Sequence, residues 1–265
     1  MRTEVMGMHG SLPQPSGPGI RRYRGRVTCD TGIRRLLLWD VDGTLVRAGD
    51  LGAAVFDVAF EAVVGVKPHG RIRMSGKTDP QIVREYLVMM GIAETDGLVE
   101  AVLAGIEGHL ATAAAAGELA AGGRACPGTA QVLALLAGDH RVVSTLLTGN
   151  IAPNAAVKVA AFGLDRWLDL SLGAYGSDEA DRNLLVPVAL RRLASERGVR
   201  LDPSDTWVIG DTPRDLECAR VAGARCLLVA TGRYSLEQLA GAGADAVLED
   251  LADAPAVAKL LTSDL

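Results

Sequence analysis

Asp40 and Asp42 stand two residues apart in Asp40-Val41-Asp42-Gly43-Thr44-Leu45, directly behind the apolar run Leu36-Leu37-Leu38-Trp39. Two carboxylates at this spacing can divide labour, one attacking an electrophile while the other gives and takes protons. A short apolar run closing on a Gly turn reads as a buried strand whose C-terminal end opens onto a loop. Side chains alternate along a strand, so both acids can face one space from successive turns of the pleat. Asp and Gly are also ordinary turn residues, so the hexapeptide needs partners before it carries chemistry.

Two further strand ends offer them: Thr148-Gly149-Asn150 and Gly210-Asp211-Thr212-Pro213-Arg214-Asp215. They supply a hydroxyl, backbone donors and a second acidic pair. In an open parallel sheet such ends lie along one edge, where ligands bind. Clustered carboxylates repel one another and stay ionised only with a cation among them. A hard divalent ion with oxygen ligands, Mg2+ above all, suits Asp40 and Asp211. It would neutralise a phosphoryl group approaching a carboxylate nucleophile. Each piece has a plainer role as well: Thr148 or Asn150 can cap a helix, and Asp215 can be a first-turn acid.

The elements that must position these residues follow from periodicity. Residues 1 to about 33 are set apart: Ser11 to Gly19 is turn-rich and aperiodic, and Arg21, Arg22, Arg24 and Arg26 follow. This segment is expected to be a disordered leader. After the Asp40 strand, Leu51 to Val64, Gln81 to Met90 and Leu98 to Ala116 read as helices, with Thr78 or Asp79 and Pro80 starting the second. Residues 48–125 are thus expected to form a helical block without strands, leaving at Gly122-Gly123 and Pro127-Gly128. Beyond Pro127, helices (129–137, 155–162, 184–197, 216–222) alternate with strands at 142–147, 206–209, 226–229 and 246–248, and a further strand is expected at 168–172. Such alternation implies a doubly wound parallel sheet. The first strand belongs to it, so residues 34–47 and 126–265 make the core and 48–125 an insertion.

Composition bounds the partners. A net charge of -5, with aromatics at only 4%, describes an α/β protein and argues against nucleic acid, whose phosphates are gripped by clustered Lys and Arg. Cys29, Cys126, Cys218 and Cys226 are not at metal-ligand or redox-motif spacing, so free thiols in a reducing compartment are expected. No stretch reads as long and apolar enough to span a bilayer, nor the N-terminus as a secretory signal, so the expected location is the cytoplasm, with no membrane partner. His69, His109 and His140 lack a partner pattern, and Trp39, Trp167 and Trp207 read as packing.

In order and at strand ends, these motifs resemble the haloacid dehalogenase (HAD) superfamily, in particular its phosphatases with a helical cap after the first motif. The resemblance runs from about residue 34 to the end. It implies a Rossmann-like core with an all-helical cap, and a Mg2+-dependent phosphatase acting on a small phosphorylated metabolite such as phosphoglycolate or a sugar phosphate. It implies that Asp40 becomes an aspartyl-phosphate, that Asp42 protonates the leaving alcohol and then deprotonates water, and that Thr148 bonds a phosphoryl oxygen. Mg2+ would be held by the Asp40 carboxylate, the Asp42 carbonyl and Asp211, with Asp215 assisting. Backbone N–H groups near Gly43, with Thr44, and Gly149 with Asn150, would help bind the phosphoryl group. The family's third motif is usually a lysine, but this chain has none between Lys158 and Lys259. Arg182 lies where that cation is expected and can bridge nucleophile and phosphoryl group. Lys158 is the weaker substitute, because its helix follows the second motif. Gly76-Lys77-Thr78-Asp79 is similar to cap loops of phosphoglycolate phosphatase relatives, which places Lys77 toward the substrate when the cap closes. The second acid, Asp42, speaks against carbon–halogen cleavage. A phosphomutase resembling β-phosphoglucomutase, or a non-catalytic binding protein on the same fold, are the alternatives; oligomeric state is not readable.

Overall fold

The computed structural model describes Met1, residues 32–70 and residues 72–265. The expected leader, with Cys29 and its arginines, lies outside the described residues apart from Met1, Gly32 and Ile33. In chain order the elements are β1 (Arg35–Trp39), β2 (Val46–Arg47), α1 (Leu51–Val64), α2 (Asp79–Met89), α3 (Leu98–Ala115), α4 (Glu118–Gly122) and β3 (Arg124–Ala125). There follow α5 (Thr129–Ala137), β4 (Val142–Thr148), α6 (Ala152–Ala160), β5 (Ala174–Tyr175), α7 (Leu185–Arg197), β6 (Thr206–Gly210), α8 (Pro213–Ala222), β7 (Arg225–Val229), α9 (Leu236–Ala240), β8 (Ala246–Leu248) and α10 (Ala254–Leu261).

Six strands form one parallel sheet in the order β5-β4-β1-β6-β7-β8. The register sets Trp39 beside Leu146 and Ile209, so β1, β4 and β6 end at one edge. Strand alternation supplies two cores. Leu37, Trp39, Leu146, Ile209 and Leu227 pack on Val132 and Leu133 of α5, Val159 of α6, and Val257 and Leu261 of α10. Leu36, Leu38, Leu147, Val208 and Leu228 face the other way, onto Leu185 and Leu193 of α7, and Leu216 and Ala219 of α8. The sheet is thus doubly wound, with the helical insertion added after β1.

That insertion has its own core, where Phe56, Phe60 and Tyr86 meet ring to ring at 5.1 to 5.9 Å beside Ile82, Val102, Ile106 and Leu110. The expected helix start at Thr78 is present: its hydroxyl accepts from the Gln81 N–H, with Pro80 in the first turn of α2.

Three expectations change. The helical block is not strand-free, because β2 and β3 pair antiparallel as a two-residue ribbon at its root. Residues 168–172 are not a strand: Asp169 accepts from the N–H and hydroxyl of Ser171 and tightens Leu170–Leu172 into a 3-10 turn, and pairing with β4 begins only at Ala174. Finally, α3 is by length and composition long and apolar enough to cross a membrane, with a mean hydropathy of 1.3 over its 18 residues. Its apolar face (Val99, Val102, Ile106, Leu110) is spent on the cap core, and it carries Glu100 and Glu107.

Candidate active site

The edge shared by β1, β4 and β6 brings together Asp40, Thr148 and Asp211. Asp40 follows β1 directly, its N–H donating to the Ile209 carbonyl at 2.9 Å, and the residue is 4% exposed. Asp211 follows β6, and Asp215 sits one turn into α8. One oxygen from each of Asp40, Asp211 and Asp215 lies within 4.8 Å of the others. Gly43 makes this convergence possible: its φ is 91°, and a Cβ there would fall 2.5 Å from an Asp211 oxygen.

Arg182 is the cation of this cluster. Buried in the 3-10 turn before α7, it lies 2.5 Å from Asp215 and 3.2 Å from Asp40. Burial works against its charge, but the two carboxylates outweigh it and hold the guanidinium firmly protonated. Asp215 also accepts from the Thr212 N–H at 3.0 Å and hydroxyl at 2.7 Å, so it caps α8 as well as pairing with Arg182. One guanidinium does not balance three acids. Burial, opposed by Arg182 and reinforced by Asp215 and Asp42, pushes Asp40 up to about 6. Burial with Asp40 and Asp215 beside it pushes Asp211 up to about 8. A buried cluster of oxygens that must take up protons for want of charge is a donor set suited to a hard divalent cation.

A second network carries Asp42. Its Oδ2 accepts from Lys158 Nζ at 2.6 Å and from Asn150 Nδ2 at 2.8 Å. Asn150 also donates to the Thr148 hydroxyl at 2.8 Å and accepts from Lys158 at 2.7 Å. The Thr148 oxygen is thus already an acceptor, which leaves its proton to point into the cavity. Lys158 does not substitute for Arg182: the two cations sit on different acids. The helix after the second motif was no obstacle, because α6 lays Asn154 and Lys158 on its buried face at i, i+4 spacing and returns the ammonium to the site. That polar pair on an otherwise apolar helix face was the available signal.

The cap closes the space. The Asp79 N–H donates to the Gly149 carbonyl at 2.7 Å, its carboxylate accepts from the Ile151 N–H at 3.0 Å, and the Thr78 hydroxyl donates to the Ala180 carbonyl at 2.6 Å. Only glycine fits at 149, where a Cβ would stand 1.9 Å from the Lys77 carbonyl oxygen. Asp79 is pushed up to about 6 by burial, against the pull of Lys158. The enclosed cavity, about 230 Å3, is lined by Asp40, Asp42, Lys77, Thr148, Asn150, Lys158 and Arg182, and by Val55, Phe56 and Ile106 of the cap. A larger groove of about 700 Å3 borders Arg182 from outside, but touches none of the clustered carboxylates.

Not every expected residue faces this cavity. The Gly43 N–H donates to the Val46 carbonyl at 2.8 Å and is not free for a phosphoryl oxygen. Thr44 is fully buried and turns its hydroxyl to Asp211 at 3.4 Å, so both residues back the acidic cluster. The Gly149 N–H has no acceptor among the described residues. Lys77 lines the cavity, with its ammonium paired to Glu85 of α2.

A HAD-hydrolase-like family model matches residues 183–254, which include Asp211 and Asp215. No curated protein matches the chain in sequence. Among solved structures, CbbY from Rhodobacter sphaeroides in complex with phosphate is similar at 22% identity and a TM-score of 0.64, over 83% of this chain and 96% of that one. A hydrolase from Pseudomonas syringae gives 21% and 0.63, over 87% and 100%. A predicted phosphoglycolate phosphatase from Haemophilus somnus gives 17% and 0.60, over 85% and 98%. In its fold the chain is like these structures, and across residues 183–254, where Asp211 and Asp215 lie, it matches the HAD-hydrolase-like family model.

Proposed function

We propose that the protein is a Mg2+-dependent phosphatase acting on a small phosphorylated metabolite. The observation that carries this reading is the pairing of two acids with two different cations at one cavity, Asp40 with Arg182 and Asp42 with Lys158. Arg182 holds one Asp40 oxygen, leaving the other to attack phosphorus as the ester P–O bond breaks. The leaving alkoxide takes its proton from Asp42, for which Asp42 must first turn from Lys158 and be protonated. Asp42 then removes a proton from the water that attacks the phosphorus and releases Asp40 with inorganic phosphate. Thr148 and the free Gly149 N–H would stabilise the phosphoryl oxygens. Asp40, Asp211 and the Asp42 carbonyl would hold Mg2+, with Asp215 assisting, and the ion would supply charge neutralisation when bound.

The names of similar proteins support a phosphorylated ligand: one is a predicted phosphoglycolate phosphatase, and CbbY is known with phosphate and, as a variant, with xylulose-(1,5)bisphosphate. Buried free Cys126, Cys218 and Cys226 accord with action in the cytoplasm. The test is phosphate release from phosphoglycolate, sugar phosphates and nucleotides, with Mg2+ or with a chelator. Mg2+-dependent release that falls at least about a thousandfold in Asp40→Asn is expected. Unchanged release in that variant would remove the aspartyl-phosphate step, and isomer formation in place of phosphate would make the protein a mutase.

A further inference from the structure

Next to the cavity lies a second recess of about 380 Å3, lined by Arg73, Ser75 and Lys77 from the cap and by Arg214, Arg233 and Tyr234 from the core. No carboxylate lines it, and none of Arg73, Arg214 and Arg233 has an ion-pair partner among the described residues. Lys77 is paired to Glu85, but the three arginines brought to one recess repel one another with no carboxylate against them there. Arg214 stands in the first turn of α8, where the helix dipole disfavours a cation unless an anion lies between them. The positions are fixed: Gly76 of the cap loop packs on Thr212 and Arg214, and Gly232 packs on the Asp211 carboxylate, setting Arg233 at the rim of the acidic cluster. Ser75 and Lys77 line both spaces, so the recess and the Asp40 cavity adjoin.

We propose that this recess is a subsite for a second anionic group, phosphate or carboxylate, of a substrate whose first phosphoryl group sits at Asp40. The proposal rests on the phosphatase reading and narrows it to substrates with two anionic ends. Arg214 and Arg233 grip the second group from the core, and Arg73 grips it from the cap, so a substrate of this kind ties the cap to the core while it is held. Tyr234, half-buried at the same rim, offers a hydroxyl donor to the same oxygens. A singly phosphorylated substrate would leave the arginines unmatched.

Binding to Asp40→Asn protein, measured by titration calorimetry in Mg2+ at low salt, tests this without turnover. The probes are a hexose 1,6-bisphosphate and the corresponding hexose 6-phosphate. The bisphosphate is expected to bind ten- to a hundredfold more tightly, on the order of one or two charge-assisted hydrogen bonds, and salt is expected to erode the preference. Adding Arg214→Gln and Arg233→Gln should bring the ratio of the two affinities to about one. Removing equal charge at the exposed Arg191 and Arg200 should preserve the ratio. Equal affinity for both probes, or a preference that survives the loss of Arg214 and Arg233, overturns the subsite. A preference that depends on those arginines, in a protein whose Asp40 form releases no phosphate from these probes or from phosphoglycolate, other sugar phosphates and nucleotides, refutes the phosphatase reading and leaves the anion site standing.

Discussion

Replacing Arg182 by Met keeps the volume of the stem and removes the one cation inside the acidic cluster. The guanidinium touches two carboxylates, and all three groups are at most 6% exposed. Stripping one partner from a buried pair costs about 3–5 kcal/mol. An independent bound agrees with that figure. Without Arg182 the cluster recovers its charge balance by protonating one more carboxyl, and near pH 7, from an unfolded value of about 3.9, this costs about 4 kcal/mol. For a chain of this size the loss corresponds to a fall in Tm of about 8–16 °C. Near pH 5.5 the same protonation costs about 2 kcal/mol, and Asp40, already raised to about 6, is largely neutral there, so the fall should be halved or less. The assay is circular-dichroism melting of wild type, Arg182→Met and Arg182→Lys in chelator at the two pH values. Lys keeps the charge and should recover at least about half of the loss, without the two-pronged geometry. A deficit below about 1 kcal/mol near pH 7, or one equal at both pH values, would refute the account of Arg182 as the counter-charge of this cluster.

Other consequences follow from the same geometry. Asp40 and Asp211 hold protons more tightly folded than unfolded, so without metal their contribution is full near pH 4 and is lost as pH rises through about 6 and 8, by up to about 1.4 kcal/mol per pH unit for each group. Mg2+ competes with those protons, so its stabilisation in melting experiments should grow from pH 5.5 to pH 8; a pH-independent increment would contradict this donor set. Lys158→Met releases Asp42 and Asn150 together, and kcat should fall about ten- to a hundredfold while Tm drops by little, because Asp42 is half-exposed; steady-state kinetics with Lys158→Arg as the partial rescue decides it. Thr78→Val removes the cap of α2 and the bond to Ala180, worth about 1–2 kcal/mol, and should speed hydrogen exchange in residues 78–82 about tenfold or more. Exchange within a factor of about two of wild type would show that Thr78 does not seat the cap.

Much of this site can be read from one dimension because the chemistry sits where periodicity changes. Apolar runs fix where β1, β4 and β6 lie, parallel winding sends their ends to one edge, and the polar residues just past those ends must then meet. Asp40, Thr148 and Asp211 are legible for that reason, and so is the helical insertion, whose apolar spacing needs no partner to be recognised. Arg182 is reached only through the resemblance, as the cation expected ahead of the strand that ends at Asp211.

What tertiary structure decided is which cation meets which acid. Arg182 and Lys158 are both plausible from their positions along the chain, and only the packing of α6 and of the turn before α7 assigns one to Asp42 and the other to Asp40 and Asp215. The same holds for Thr44 and the Gly43 N–H, which stand beside the motif in sequence yet are spent on Asp211 and Val46. Gathering Arg73, Arg214 and Arg233 into one recess is likewise a product of the cap seated on the core. Periodicity reports which face of its own element a residue occupies, because that depends on local backbone geometry. It carries no record of which distant side chain completes a hydrogen bond, because that is fixed by the docking of whole elements.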